Sequence, residues 1–128
     1  MAKTKQAGHL GLAGEKTTIE HLLQNGFTVL AKNFRIPGGE IDIIAEDKQT
    51  RIFVEVKTRQ KKYFNTSEVI TQKKQRLIAR AALIFNSRFG WPREKNSRFD
   101  VALLETQKDE LILHYIPNAF SIPMESCI

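Results

Sequence analysis

Two segments of this chain alternate apolar and charged residues: Gly39-Glu40-Ile41-Asp42-Ile43-Ile44-Ala45 and Ile52-Phe53-Val54-Glu55-Val56-Lys57. Successive side chains of a strand point to opposite faces. In the first segment Ile41, Ile43 and Ala45 then share one face, and Glu40 and Asp42 take the other. In the second, Ile52, Val54 and Val56 share a face, opposite Glu55 and Lys57. The polar stretch Glu46-Asp47-Lys48-Gln49 between them is short enough for a hairpin-like connection. If the two strands pair, Asp42, Glu55 and Lys57 converge on one side of a sheet. The plain alternative is an amphipathic hairpin whose charged face meets solvent.

The rest of the chain supplies elements to pack on that hairpin. A helix is predicted over Leu12 to Asn25, with Leu12, Ile19, Leu22 and Leu23 on one side and Gly26 just past its end. Phe27 to Phe34 reads as a strand, Pro37-Gly38-Gly39 as a turn, and Gly39 to Ala45 and Ile52 to Lys57 as the next two strands. A long helix is predicted over Ser67 to Phe85. Ser67 is its cap, and Ile70, Leu77, Ile78, Ala81, Ile84 and Phe85 are its stripe. Arg88 to Ser97 reads as a loop, then Phe99 to Leu104 and Leu111 to Ile116 as strands. The order α-β-β-β-α-β-β predicts an α/β fold with a central mixed five-stranded sheet flanked by helices. A chain of 128 residues can bury a core as one domain. Residues 1–10 are expected to be flexible and 117–128 to form a C-terminal tail.

Charge is distributed unevenly. From Lys57 to Arg98 there are twelve Lys and Arg against two acids, and from Phe99 onward one lysine against five acids. A concentrated basic region suits a polyanion, because releasing counterions from phosphates drives binding. It also suits nothing more than a solvated basic helix. No apolar run approaches the roughly 18–20 residues that span a bilayer, and no apolar segment follows the basic N-terminus as a secretory signal requires. The one cysteine, Cys127, excludes an internal disulfide and a cysteine-rich zinc site and fits the reducing cytoplasm. His9, His21 and His114 lack metal-ligand spacing.

The carboxylates have a chemical use. Mg²⁺ prefers oxygen ligands and is usually held by one or two carboxylates together with waters and substrate phosphate. Asp42 and Glu55 are candidate carboxylates, with the Val56 backbone carbonyl as a further oxygen. Lys57 is placed to orient a water or offset charge on a phosphorane. Glu15 falls between Leu12, Ile19 and Leu22 on the helical wheel, where a carboxylate is costly unless paired or metal-bound. A structural ion pair with Arg35 is its alternative role. Lys74 likewise lies between Leu77 and Ile78 in angle, as a site lysine or one snorkelling at the stripe's edge.

Taken together, these motifs resemble the YraN family of small bacterial proteins in the PD-(D/E)XK nuclease superfamily. The resemblance runs from Gly11 to about Leu104. It rests on Gly14-Glu15, Asn33-Phe34-Arg35, Gly39 to Ala45, Phe53-Val54-Glu55-Val56-Lys57-Thr58-Arg59, Thr71 with Lys74-Gln75, and Arg98-Phe99-Asp100-Val101. It implies a restriction-endonuclease-like fold similar to archaeal Holliday-junction resolvases. By that similarity Asp42, Glu55 and Lys57 match the metal and catalytic positions, and Glu15 the helical acid of the resolvase branch. Ile41 stands where the motif's name has proline, and Asn65 where a glycine is expected after Phe64.

The resulting expectation is an endonuclease that hydrolyses phosphodiester bonds in DNA, branched DNA included, with Mg²⁺ or Mn²⁺. DNA is favoured over RNA as the partner, and no membrane role is expected. Arg59, Lys61, Lys62, Lys73, Lys74, Arg76 and Arg80 are the candidate phosphate contacts. Resolvase-like enzymes act as dimers, which leaves a homodimer open without marking its face. The alternatives are a nucleic-acid-binding module without efficient cleavage and an interaction subunit of a DNA-processing complex. Trp91 reads as packing before base stacking, and Asp100 as the ion-pair partner of Arg98.

Overall fold

A computed structural model describes residues 2–59, 70–92 and 94–121. The elements are α1 (Ala2–Gln24), β1 (Thr28–Ile36), β2 (Gly39–Glu46), β3 (Thr50–Arg59), α2 (Gln72–Phe89), β4 (Asn96–Gln107) and β5 (Glu110–Phe120). They form one five-stranded sheet in the order β1-β2-β3-β4-β5. The β3–β4 pair is parallel and the other three are antiparallel. The sheet is therefore mixed, with α2 as the crossover that a parallel pair requires. The predicted order and fold class hold.

The strand faces belong to two cores. Ile43, Ala45, Ile52, Val54 and Leu104 pack with Leu22 of α1. Ile41, Ile44, Phe53 and Phe99 pack with Ile78, Ala82 and Phe85 of α2. Each buried Ile, Leu, Val or Phe side chain contributes about 1.5–3 kcal/mol, so the strands are held from both faces. A turn at Gly38, φ 82°, lets Gly39 pass under α2. A Cβ on Gly39 would lie 3.2 Å from the Leu77 carbonyl oxygen.

Several expected boundaries move. The buried row of α1 is Gly14, Thr18 and Leu22, while Leu12 and Leu23 are exposed. The row runs at i, i+4, i+8, but glycine and threonine carry no apolar signal. The Thr18 hydroxyl bonds back to the Gly14 carbonyl at 2.7 Å, which lets it be buried. The cap of α2 is Thr71, whose hydroxyl accepts from the Lys74 N–H; Ser67 lies outside the described residues. Ile70 precedes the helix and packs instead on Val101 and Leu103. At its other end α2 continues to Phe89 and stops at Gly90, φ 95°. β5 runs to Phe120 rather than Ile116.

Candidate functional site

The β2–β3 ladder ends at the pair Ile43↔Val54. Beyond it the next inward-facing β3 amide, that of Val56, has no strand partner. Asp42 fills the gap with its side chain: Oδ2 accepts the Val56 N–H at 2.8 Å. In a strand the N–H and C=O of one residue point to the same edge, so the Val56 carbonyl faces the same opening. Asp42 also breaks the expected alternation. Ile43 faces the α1 core but Ile41 faces the α2 core, so Ile41, Ile43 and Ala45 do not share one face. The β1–β2 ladder skips Asn33 opposite Asp42, and Asn33 has φ 52°. The strand turns over at this point.

β3 alternates as expected, because it is paired on both sides. Ile52, Val54 and Val56 face α1, which sends Phe53, Glu55 and Lys57 to the α2 face. Glu55 is buried, and its Oε1 pairs with Lys74 Nζ at 2.5 Å. Lys74, on the edge of the α2 stripe, thus reaches Glu55 with its ammonium, while its side chain stays partly exposed. Lys57 sits next to Leu103 of β4, half-buried. Among the described residues it makes no ion pair.

Glu15 enters from α1. Gly14, buried beside it, lets the helix approach β3 and β4: an added Cβ would lie 2.7 Å from Thr58 Oγ1 and 3.2 Å from Leu104 Cδ1. Arg35 pairs with Glu40 at 3.4 Å, not with Glu15. The group that meets Glu15 is Asn33. In the orientation that satisfies its neighbours, its amide nitrogen lies 3.1 Å from Glu15 Oε1 and 3.2 Å from Glu40 Oε1. Glu15 therefore joins the cluster through Asn33. Neither Asn33 nor Glu40 stood out as a functional residue in the sequence. The usable signal was an asparagine inside a strand, since asparagine is enriched in the left-handed region.

Electrostatics follow from this crowding. The Asp42 carboxyl is raised from 3.8 to about 7 by burial first and the Glu55 charge second. Glu40 adds to the effect and the Val56 N–H opposes it. Asp42 and Glu55 are close enough to hydrogen-bond when one holds a proton. The donors around the opening are all oxygens, a set that suits Mg²⁺ or Mn²⁺ better than zinc or copper. Among the described residues no three His, Cys, Asp or Glu side chains form a ready-made metal cage.

The basic residues form a separate surface. Lys73, Arg76 and Arg80 are exposed on one side of α2, and Arg59 is exposed at the end of β3. Lys61 and Lys62 lie outside the described residues, as do Asn65 and Cys127. Asp100 is fully buried and accepts from Arg98 at 2.8 and 2.9 Å, from the Tyr115 hydroxyl and from the Asn118 N–H. Its oxygens are committed to structure, as expected. Burial, then the Asp100 charge, pushes the Tyr115 hydroxyl up. His114 pairs with the buried Glu105 at 3.2 Å, away from the carboxylates. Trp91 is exposed and does not show the packing role expected of it. Among the described residues no helix is long and apolar enough to cross a membrane.

Comparison with known proteins adds a family and a fold. Residues 14–104 match the family described as "Uncharacterised protein family UPF0102". The UPF0102 protein of Trichlorobacter lovleyi is 40% identical over 116 residues, covering 88% of this chain and 91% of its own length. That of Symbiobacterium thermophilum is 41% identical over 113 residues, covering 87% and 95%. Among solved structures, the Holliday junction resolvase Hjc of Archaeoglobus fulgidus aligns with a TM-score of 0.51 at 20% identity. The alignment covers 84% of this chain and 71% of that one. The likeness shows a shared nuclease-like fold.

Proposed function

This chain belongs to the UPF0102 family, and we propose that it is a divalent-metal-dependent endonuclease of DNA, branched DNA included, centred on Asp42 and Glu55. The observation that carries the reading is the opening between β2 and β3. There Asp42 reaches across to the Val56 N–H of β3 beside the buried Glu55 carboxylate, and burial with the Glu55 charge raises the Asp42 carboxyl. Like charges held this close need either a proton or a cation between them. Asp42, Glu55 and the Val56 carbonyl are the oxygens that would hold Mg²⁺ or Mn²⁺. Such an ion, when bound, lowers the pKa of a water and polarises the phosphodiester.

The chain's own groups supply the rest. Asp42 fixes its carboxylate against the Val56 N–H. Lys74 sets the rotamer of Glu55. Lys57, without an ion pair among the described residues, orients the attacking water and offsets charge on the phosphate oxygens. Glu15 adds negative charge from α1. Arg59, Lys73, Arg76 and Arg80, with Lys61 and Lys62, hold the phosphates on either side. The whole is read as one endonuclease-like domain working on DNA in the cytoplasm. The resolvase named above supports DNA as the substrate through its fold.

A screen of single-stranded, duplex and four-way-junction DNA with and without Mg²⁺ or Mn²⁺ tests the reading. The expected result is metal-dependent cleavage, lost in Asp42→Asn, Glu55→Gln and Lys57→Ala. A second reading has one observation in its favour: Lys74 already neutralises Glu55, as suits a nucleic-acid-binding module without efficient cleavage. Salt-sensitive binding with no cleavage of any substrate would select it.

A further inference from the structure

We infer that Asn33 is the positioning residue of the carboxylate site: its backbone turns β2 over at Asp42, and its amide holds Glu15 and Glu40 side by side. The inference rests on the metal-site reading above, and its two parts come from different observations.

The backbone part is topological. Residues two apart in a regular strand share a face. Ile41 and Ile43 do not, although the ladder with β1 keeps one register across this point, at Phe34↔Ile41 and Lys32↔Ile43, its register shift lying farther along between Val29 and Ala31. Only the Asn33–Asp42 position between them is skipped, and there Asn33 stands at φ 52°. A left-handed residue in one strand releases its neighbour across the ladder from regular pairing. Asp42 is that neighbour, and its carboxylate turns to the Val56 N–H of β3. Asparagine tolerates this conformation, because its short polar side chain bonds locally.

The side-chain part is electrostatic. A carboxamide has two N–H donors, and here one nitrogen serves two carboxylates, at 3.1 Å from Glu15 and 3.2 Å from Glu40. The donor is neutral. It fixes two anions without cancelling their charge, whereas a lysine or arginine in its place would remove the negative potential that attracts a cation. Asn33 is itself exposed. Truncating an exposed side chain ordinarily costs little stability, so an effect on metal binding is separable from an effect on folding.

The experiment uses the full chain and Mn²⁺ as the probe. Asn33→Gly keeps the left-handed backbone and removes the amide. Asn118→Gly, at a position of similar φ 51° outside the site, is the control. In chelator, Asn33→Gly and Asn118→Gly are expected to melt in urea close to wild type. Mn²⁺ affinity is expected to fall about 10–100-fold in Asn33→Gly, the usual effect of losing a group that orients a ligand, and to stay unchanged in Asn118→Gly. In the metal-free protein, the NMR signals of the Asn33 side-chain NH₂ are expected to move in Glu15→Gln and in Glu40→Gln. Unchanged Mn²⁺ affinity in Asn33→Gly, with binding abolished in Asp42→Asn, overturns the inference and leaves the metal site standing. If Asp42→Asn binds Mn²⁺ like wild type, the metal-site reading is what fails. The NH₂ signals then decide about Asn33: movement in both variants keeps the clamp, and movement in neither removes it. They also decide if a variant fails to fold.

Discussion

Replacing Asp42 with asparagine should stabilise the metal-free protein at alkaline pH, although it removes a residue from a candidate active site. The Asp42 carboxyl is raised in the fold, from 3.8 to about 7, by burial and then by Glu55. An acid with a raised folded pKa contributes stability that is fully present below its unfolded value. That stability is lost as the pH rises through the folded value. At roughly 1.4 kcal/mol per pH unit, the term amounts to at most about 4 kcal/mol. About 3 kcal/mol of it should disappear between about pH 5 and about pH 8. Asparagine is neutral throughout. Its side-chain oxygen still accepts the Val56 N–H, and its NH₂ can donate to Glu55. Urea melts of both proteins at the two pH values, in chelator, read the Asp42–Glu55 pair as a unit, because the titrating groups outside it are common to both. The wild type should lose about 3 kcal/mol relative to the variant on going from acid to alkaline pH. Parallel behaviour of the two proteins, or a wild type that gains on the variant, would refute the crowding of Asp42 and Glu55.

Three further outcomes follow from the geometry. Lys74→Met should cost about 1.5–3 kcal/mol by leaving Glu55 buried without its cation. Adding Glu55→Gln should restore part of that loss, and a urea double-mutant cycle measures the coupling. Gly14→Ala should cost about 1–3 kcal/mol, since its Cβ would lie 2.7 Å from Thr58 Oγ1; thermal melts should show partial rescue by Thr58→Ala. Charge reversal at Lys73, Arg76 and Arg80 should weaken DNA binding and flatten the slope of log K against log salt. Fluorescence anisotropy at several salt concentrations checks this, and an unchanged slope would mean that the exposed face of α2 does not meet phosphates.

How far the sequence could be read depended on how regular each element is. β3 lies between two strands, so its alternation survives, and the faces of Glu55 and Lys57 could be read from a period of two. β2 could not be read in this way beyond Ile43, because a left-handed residue in the neighbouring strand reverses it at Asp42. α1 was placed but rotated, since it meets the sheet through Gly14 and Thr18, which bury through smallness and an internal hydrogen bond. The angular position of Lys74 on α2 was legible, but its partner was not, because no local pattern says which strand passes beneath a helix. The Arg98–Asp100 pair was legible as two residues on one strand face. Tyr115 and Asn118, which complete it, come from β5, and their register is a long-range fact.

The central claim is that Asp42 and Glu55 hold a divalent ion, and the most direct measurement is the anomalous signal from a crystal soaked in Mn²⁺. The account predicts one dominant peak in the opening between β2 and β3. It should lie about 2.0–2.2 Å from a carboxylate oxygen of each residue, with the Val56 carbonyl in the same coordination shell, and it should vanish in Asp42→Asn. A peak elsewhere, or an empty opening with Lys74 still on Glu55 at saturating Mn²⁺, would contradict it.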